Sequence, residues 1–493
     1  MLNPVTSAIA YGSGIPESTV KLLVTLGLTY PIAAYYQRNL LKPLSATGVD
    51  ERNSYILTAG LGLAIFFSGF RIIHSLITIY ASYALMWFGD QMHNRKAGAI
   101  AVFAFNLLYL LAGYWAKSSE IYEISWTTPQ CVLCLRLMGL GIDVYDGKSI
   151  GAEPTKVPRA HSVDDDVKIK RAPLSFGSDT ALANVPELRY ILAYCFFPSS
   201  FLVGPQFSFS LYRKFITFEK YADLSPNDLQ NSKKAQMDYM YRCVATGLTY
   251  LLVQQLIGSQ YPTSYLLTPE FASLNIFKRL VTFWICGKMV YNKYLGVWNL
   301  TEGACTLFGI SYAGPNNGQA DFSGLANVSP RVFEFATSTE QVIASFNMNT
   351  NLWVKVYIFK RLKFLNNKSL SQAASLAFLA IWHGFHLNYF LTFIMEFLDV
   401  EAEEVLRKHF RPIVMRHTQN NPILDKAWKV LAWITCTSTV NYAVVGFDLL
   451  LFRKAWVAYK AVWFIGHIAI ASILFGGKFA KSPQIIQSAK KQE

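Results

Sequence analysis

Three apolar runs follow one another between residues 55 and 116 of this 493-residue chain, at 55–70, 71–88 and 97–116. The only charged side chains among them are Arg71, Asp90, Arg95 and Lys96. A membrane-crossing helix needs about 20 mostly apolar residues, and each of these runs approaches that length. Further candidates lie near 18–37 (bent at Pro31), 128–142, 187–204, 240–258, 279–297, 299–313, 370–398, 427–450 and 455–477. Together they predict an all-α polytopic membrane protein with about ten or eleven transmembrane helices in a single membrane-embedded domain, 1–493. Composition agrees. Only 15% of the residues are charged, against about 25% in soluble domains, too few to cover a water-facing surface.

The net charge of +14 resides in short basic clusters between the apolar runs. That is the pattern of positive-inside loops and of contacts with membrane lipid headgroups, so no nucleic-acid partner is expected. Seven cysteines lie mostly in apolar segments, where Cys acts as a small hydrophobe. Cys131-Val132-Leu133-Cys134 has metal or redox spacing, but no second pair follows it, and it reads as packing. Residues 146–189 form a polar, nearly charge-balanced loop containing Asp164-Asp165-Asp166. Residues 314–340, beginning Gly314-Pro315-Asn316-Asn317-Gly318, carry turn and loop chemistry. No basic residue precedes Lys21, so a cleaved signal peptide is not expected. Near the other end, Lys490-Lys491 before Gln492-Glu493 resembles a dilysine retrieval signal, which a retrieval coat would read. It favours a cytosolic tail over 479–493 and residence in the endoplasmic reticulum membrane.

Several candidate spans are impure, carrying Arg136, Asp143 and Glu302, and polar groups at that depth should line a tunnel. The most unusual segment is 341–398. Its first 55 residues lack any Asp or Glu, yet contain Lys355, Lys360, Arg361, Lys363 and Lys368. His383 sits inside the apolar run 370–395, where an ionisable group points to function. His386 lies three residues on and would share its helix face, in a packing or supporting role. His74 and His467 read as packing histidines. If helices 351–365 and 370–398 run antiparallel about a turn at 366–369, Asn347 and His383 each lie roughly 25 Å from that turn, at one depth. An imidazole can take a proton from an attacking alcohol, and a carboxamide NH₂ can stabilise a developing oxyanion. A cationic rim suits a donor bearing phosphates. No metal site is expected, because His-x-x-His lacks a third ligand nearby.

Several blocks then recur in a recognisable order. They are Gly139-Leu140-Gly141-Ile142-Asp143-Val144-Tyr145-Asp146-Gly147, then Tyr291-Asn292-Lys293-Tyr294-Leu295-Gly296-Val297-Trp298 with Thr301-Glu302-Gly303-Ala304. Phe346-Asn347 with Tyr357-Ile358-Phe359-Lys360-Arg361-Leu362 and finally Trp382-His383-Gly384 complete the set. From about 55 to 477 the chain resembles the membrane-bound O-acyltransferase family. Within it the likeness is to the lysophospholipid acyltransferases, the lysophosphatidylcholine acyltransferase type 3 group above all. The resemblance implies helices enclosing a catalytic tunnel, and transfer of a long-chain, often unsaturated acyl group from acyl-CoA to the sn-2 hydroxyl of a lysophospholipid. Acyl-CoA is then a co-substrate, and no cofactor is implied. The family's catalytic residues fall on His383 and Asn347; Trp298, Glu302, Arg361 and His386 are candidates for tunnel lining or substrate contact. A different hydroxyl acceptor (sterol, diacylglycerol or protein) and a lipid transporter without chemistry are the alternatives. Homo-oligomerisation is left open.

Overall fold

Apolar residues at helical spacing dominate the chain, and helices dominate the structure. The computed structural model describes residues 4–41, 48–117, 124–147, 174–177, 179–221, 224, 226–316, 319–418 and 421–479. The Asp164–Asp166 loop and the dilysine tail lie outside the described residues. In chain order the helices are α1 (Pro4–Ser13), α2 (Glu17–Asn39), α3 (Gly48–Ser68), α4 (Ile72–Gln91), α5 (Arg95–Ala116), α6 (Thr127–Asp146), α7 (Leu188–Cys195), α8 (Phe209–Ile216) and α9 (Pro226–Val253). Then follow α10 (Pro269–Ser273), α11 (Ile276–Phe308), α12 (Pro330–Glu334), α13 (Thr339–Ser345), α14 (Met348–Tyr357) and α15 (Lys368–His383). The last are α16 (Leu387–Thr418), α17 (Pro422–Leu449), α18 (Phe452–Ala461) and α19 (Ile465–Phe479). A single small hairpin pairs Pro315–Asn316 with Gln319–Ala320 among the described residues.

By length and composition, three described stretches can cross a membrane: Gly48–Gln91, Arg95–Ala116 and Pro422–Leu449. The pair Phe452–Ala461 and Ile465–Gly477, bent by 82°, adds a fourth if it is one span. Ile65, Phe70, Ile73, Ile77, Trp87 and Leu108 are exposed on these helices, as side chains facing lipid would be. Elsewhere the expected boundaries shift. The candidates 279–297 and 299–313 are one helix, α11, of 33 residues. The candidate 187–204 yields only the eight-residue α7 before buried irregular chain.

Two helices organise the interior. α6 is buried on nearly every side, as expected of a helix without a polar face. Its Arg136 is 1% exposed and donates to the carbonyls of Tyr194 (2.8 Å), Cys195 (3.1 Å) and Ser200 (3.2 Å). Those bonds replace the water it has lost and tie α6 to the irregular chain after α7. α11 packs against α9, α17 and α2. Asn275 caps its start by accepting from the Lys278 N–H (3.0 Å), and Gly309 ends it at φ 94°. At Gly287 the α17 backbone comes so near that an added Cβ would lie 2.0 Å from the Asn441 carbonyl oxygen. Only a residue without a side chain permits that crossing.

Gly287→Ala should therefore push α11 and α17 apart, at a cost of about 1–3 kcal/mol or more. Gly62→Ala, where nothing lies within 4 Å of the new Cβ, should be neutral or stabilising. Thermal midpoints in detergent, read by size-exclusion of the remaining folded fraction, check the contrast.

Candidate active site

The polar chemistry begins where α14 begins. Asn347 precedes α14 in the left-handed conformation, φ 47° and ψ 45°, and does not cap its own helix. Asparagine tolerates this region better than most residues, and the turn frees its carboxamide from the helix end. Asn327 Nδ2 donates to Asn347 Oδ1 at 3.3 Å. The orientation of Asn327 is fixed in turn, because its Oδ1 accepts from the Asn349 backbone N–H and from Asn349 Nδ2, both at 3.1 Å. With its oxygen engaged, the NH₂ of Asn347 has no protein partner among the described residues. Behind Asn327 stands Glu302, 1% exposed. It accepts from the Asn327 N–H (3.3 Å) and from the Tyr239 hydroxyl (2.5 Å). A buried carboxylate thus holds Asn327, and Asn327 turns the donor end of Asn347 outward.

His383 is the last residue of α15. Gly384 follows at φ 125° and ψ −162°, a conformation only glycine adopts freely, and the helix stops there. The expected continuous helix 370–398 is therefore broken into α15 and α16, with Phe385 and His386 in the break. The expected shared face of His383 and His386 does not form. His386 instead packs edge-on against Tyr389. The His383 ring lies among Trp382, Tyr389, Phe393 and Phe447, at centroid distances of 4.6, 5.5, 5.7 and 5.0 Å. Neither of its nitrogens has a hydrogen-bond partner among the described residues. The expected helix 351–365 is likewise cut short: α14 ends at Tyr357 and 359–365 is a 3₁₀ turn.

α6 relates the two halves. Trp353 Nε1 donates to the Leu135 carbonyl (3.0 Å) and Trp382 Nε1 to the Cys131 carbonyl (3.1 Å). These acceptors are one turn apart, about 6 Å along the helix. Tyr357 reaches Asp143 nearer the end of α6 (2.8 Å), so α14 runs in the direction of α6. Asn347, six residues before Trp353, then falls about 9 Å back from Leu135, near the level of Cys131 where Trp382 is anchored. The outer wall links them too. Phe346 packs on Tyr291 (5.2 Å) and Trp298 (5.0 Å) of α11. Phe447 of α17 packs on His383, and its neighbour Asp448 accepts from Lys293 of α11 at 2.5 Å. No hydrogen bond joins Asn347 to His383 directly among the described residues.

Trp298 and Glu302 thus border Asn347, the first through Phe346 and the second through Asn327; Trp298 Nε1 also donates to the Val203 carbonyl (3.1 Å). Arg361 does not join them. It forks onto Asp146 at the exposed end of α6, with Nη1 2.9 Å from Oδ1. Beside it, burial and the charges of Lys355 and Lys363 hold the Lys360 ammonium below the ordinary lysine range. His74 stacks on Trp126 (3.9 Å) and His467 meets the Tyr442 hydroxyl (2.7 Å). Cys131 and Cys134 are free thiols. Sequence reasoning missed Asn327, Asn349 and Phe447. The apolar residues flanking Asn327 (Leu325, Ala326, Val328) were the available signal that this stretch is buried chain rather than a solvent loop.

The family model described as MBOAT, membrane-bound O-acyltransferase family, matches residues 111–445. Lysophospholipid acyltransferase 5 of Drosophila melanogaster is 36% identical over 474 residues, covering 94% of this chain and 88% of the relative. The Homo sapiens protein of that name is 32% identical over 486 residues, covering 95% and 90%. A lysophospholipid acyltransferase of Schizosaccharomyces pombe is 30% identical over 466 residues, covering 93% and 86%. The chain belongs to the membrane-bound O-acyltransferase family and is an O-acyltransferase.

If Asn327 only orients Asn347, Asn327→Asp should turn a donor into an acceptor at Asn347 Oδ1 and misplace its NH₂. The expected result is a fall in kcat of about 10²-fold with KM little changed, measured by radiolabelled acyl transfer in microsomes.

Proposed function

We propose that the enzyme moves a long-chain fatty acyl group, chiefly unsaturated, from acyl-CoA to the sn-2 hydroxyl of a lysophospholipid such as lysophosphatidylcholine. The observation that carries this reading is the pair of tryptophan anchors on α6, which supports a common level for His383 and Asn347. The names of the relatives supply the acceptor class. His383 is the general base and Asn347 the oxyanion donor. As the hydroxyl oxygen bonds to the thioester carbon, its proton passes to the imidazole. The carbonyl oxygen becomes negative and takes a hydrogen bond from the Asn347 NH₂. When the C–S bond breaks, the CoA thiolate leaves with the proton from the imidazolium. No acyl-enzyme is needed, because the acceptor attacks directly. Trp298 and Glu302 act as wall and support. The cations Lys355, Lys360 and Lys363 suit the phosphates of CoA at the exposed end of α14. The enzyme would act in the endoplasmic reticulum membrane, with its tail cytosolic.

His383→Ala should abolish transfer while the protein accumulates normally. Asn347→Ala should lower kcat about 10²–10³-fold, the usual cost of one oxyanion donor. Labelled oleoyl-CoA offered with lysophosphatidylcholine, a sterol and diacylglycerol should label phosphatidylcholine. Sterol ester or triacylglycerol as the main product would overturn the acceptor, and full activity in His383→Ala would overturn the base.

A further inference from the structure

Between Asn327 and Met348 the chain leaves the site and returns to it, carrying α12 and α13 on the way. Two backbone bonds close this loop at its base: the Ser329 N–H donates to the Ser345 carbonyl (2.8 Å) and the Met348 N–H to the Asn327 carbonyl (2.9 Å). Asn347 sits in that base, fixed on one side through Asn327 and Glu302. The far end of the loop is fixed at Glu334. Its Oε1 accepts from Lys288 Nζ of α11 (2.6 Å) and from the Tyr250 hydroxyl of α9 (2.7 Å). Its carbonyl accepts from Trp433 Nε1 of α17 (2.7 Å). Three long helices thus meet on one residue of the five-residue α12.

Rings carry that anchor back to Asn347. Lys288 Nζ lies 5.4 Å from the centre of the Phe333 ring and 5.8 Å from that of Tyr250, within the distance at which an aromatic face attracts an ammonium group. Phe333 packs on Phe346 (5.3 Å), and both pack on Tyr291 (5.1 and 5.2 Å). Phe346 is the residue before Asn347. Beside the ion pair a small cavity is lined by Lys288, Phe333, Glu334, Ala336, Cys436 and Asn441, so the Phe333 ring has space to move into once the pair is lost. The backbone of Asn347 is left-handed, at φ 47°, a conformation that a residue other than glycine keeps where its surroundings over-determine it. The polar path from Glu302 constrains the Asn347 side chain. The ring path from Lys288 constrains the residue before it.

We propose that Lys288, through its ion pair with Glu334, is a positioning residue for acyl transfer: it holds Phe333 against Phe346 and so keeps the Asn347 carboxamide aimed at the reacting carbonyl. This inference rests on the reading of Asn347 as the oxyanion donor and adds a remote element that sets its orientation. Lys288 acts at a distance and contacts neither substrate. Its loss slows the chemical step and leaves substrate binding as it was.

The test is a kinetic cycle on the full-length enzyme in nanodiscs, with oleoyl-CoA and lysophosphatidylcholine. Lys288→Met and Glu334→Gln should each lower kcat about tenfold, with both KM values changed less than about twofold. Lys288→Arg, which can keep the pair, should hold kcat within about threefold of wild type. In an Asn347→Ala background, where the oriented group is gone, Lys288→Met should lower kcat no further. Unchanged kcat in Lys288→Met, or the same loss with and without Asn347, overturns this inference alone. Full activity in Asn347→Ala overturns the oxyanion reading and the inference with it. Should Lys288→Met fail to fold, Tyr250→Phe removes one donor from Glu334 and leaves both charges in place. A fall in kcat of about threefold that vanishes in the Asn347→Ala background then supports the inference; no fall, or one that persists there, overturns it.

Discussion

Two indole N–H groups donating to backbone carbonyls one turn apart on α6 are the constraint on which the site depends. An indole buried in a dry interior must find an acceptor for its N–H. A helical carbonyl bonded within its own helix still has a second lone pair to offer. Trp353 and Trp382 therefore dock at fixed heights, and the chain segments carrying them follow. The stacked contact of Trp353 with Phe378, at 5.7 Å, holds α14 beside α15. The fixed side of the site is thus built from main-chain atoms of a helix that is itself immobilised by Arg136 and its carbonyl partners. Such a scaffold resists side-chain disorder, which matters where reacting groups must be held to a fraction of an ångström.

On the path from Tyr239 through Glu302 and Asn327 to Asn347, each member fixes the next. The path ends on the Asn347 oxygen, which leaves the carboxamide NH₂ as the end without a protein partner among the described residues. The network serves position.

Much of this was legible in the sequence. Long apolar runs gave the all-α membrane class, because bilayer thickness sets helix length. An imidazole in an apolar run can simply pack, as His74 and His467 do; His383 and Asn347 stood out through the motif blocks around them. Helix breaks were not legible to the same degree. Trp382-His383-Gly384 does not declare whether Gly384 continues a helix or stops it; the stop shows only in the folded chain, where Gly384 takes a φ of 125°. Arg361 looked like a site residue because of its block, but the decisive partner, Asp146, is 215 residues away in sequence. Asn327 was hidden because the Gly-, Asn-, Ser- and Pro-rich stretch 314–340 around it reads as turn chemistry, and only burial distinguishes a structural hydrogen-bonder from a loop residue.

The central claim is that α6 holds an imidazole and a carboxamide at one level around one chamber. A cryo-EM map of the enzyme in nanodiscs, bound to a non-cleavable thioether analogue of acyl-CoA, tests it most directly. The account predicts analogue density at the C–S junction bordered by His383 on one side and by the Asn347 NH₂ on the other. Density for that junction elsewhere in the bundle, or His383 and Asn347 opening onto separate chambers, would contradict it.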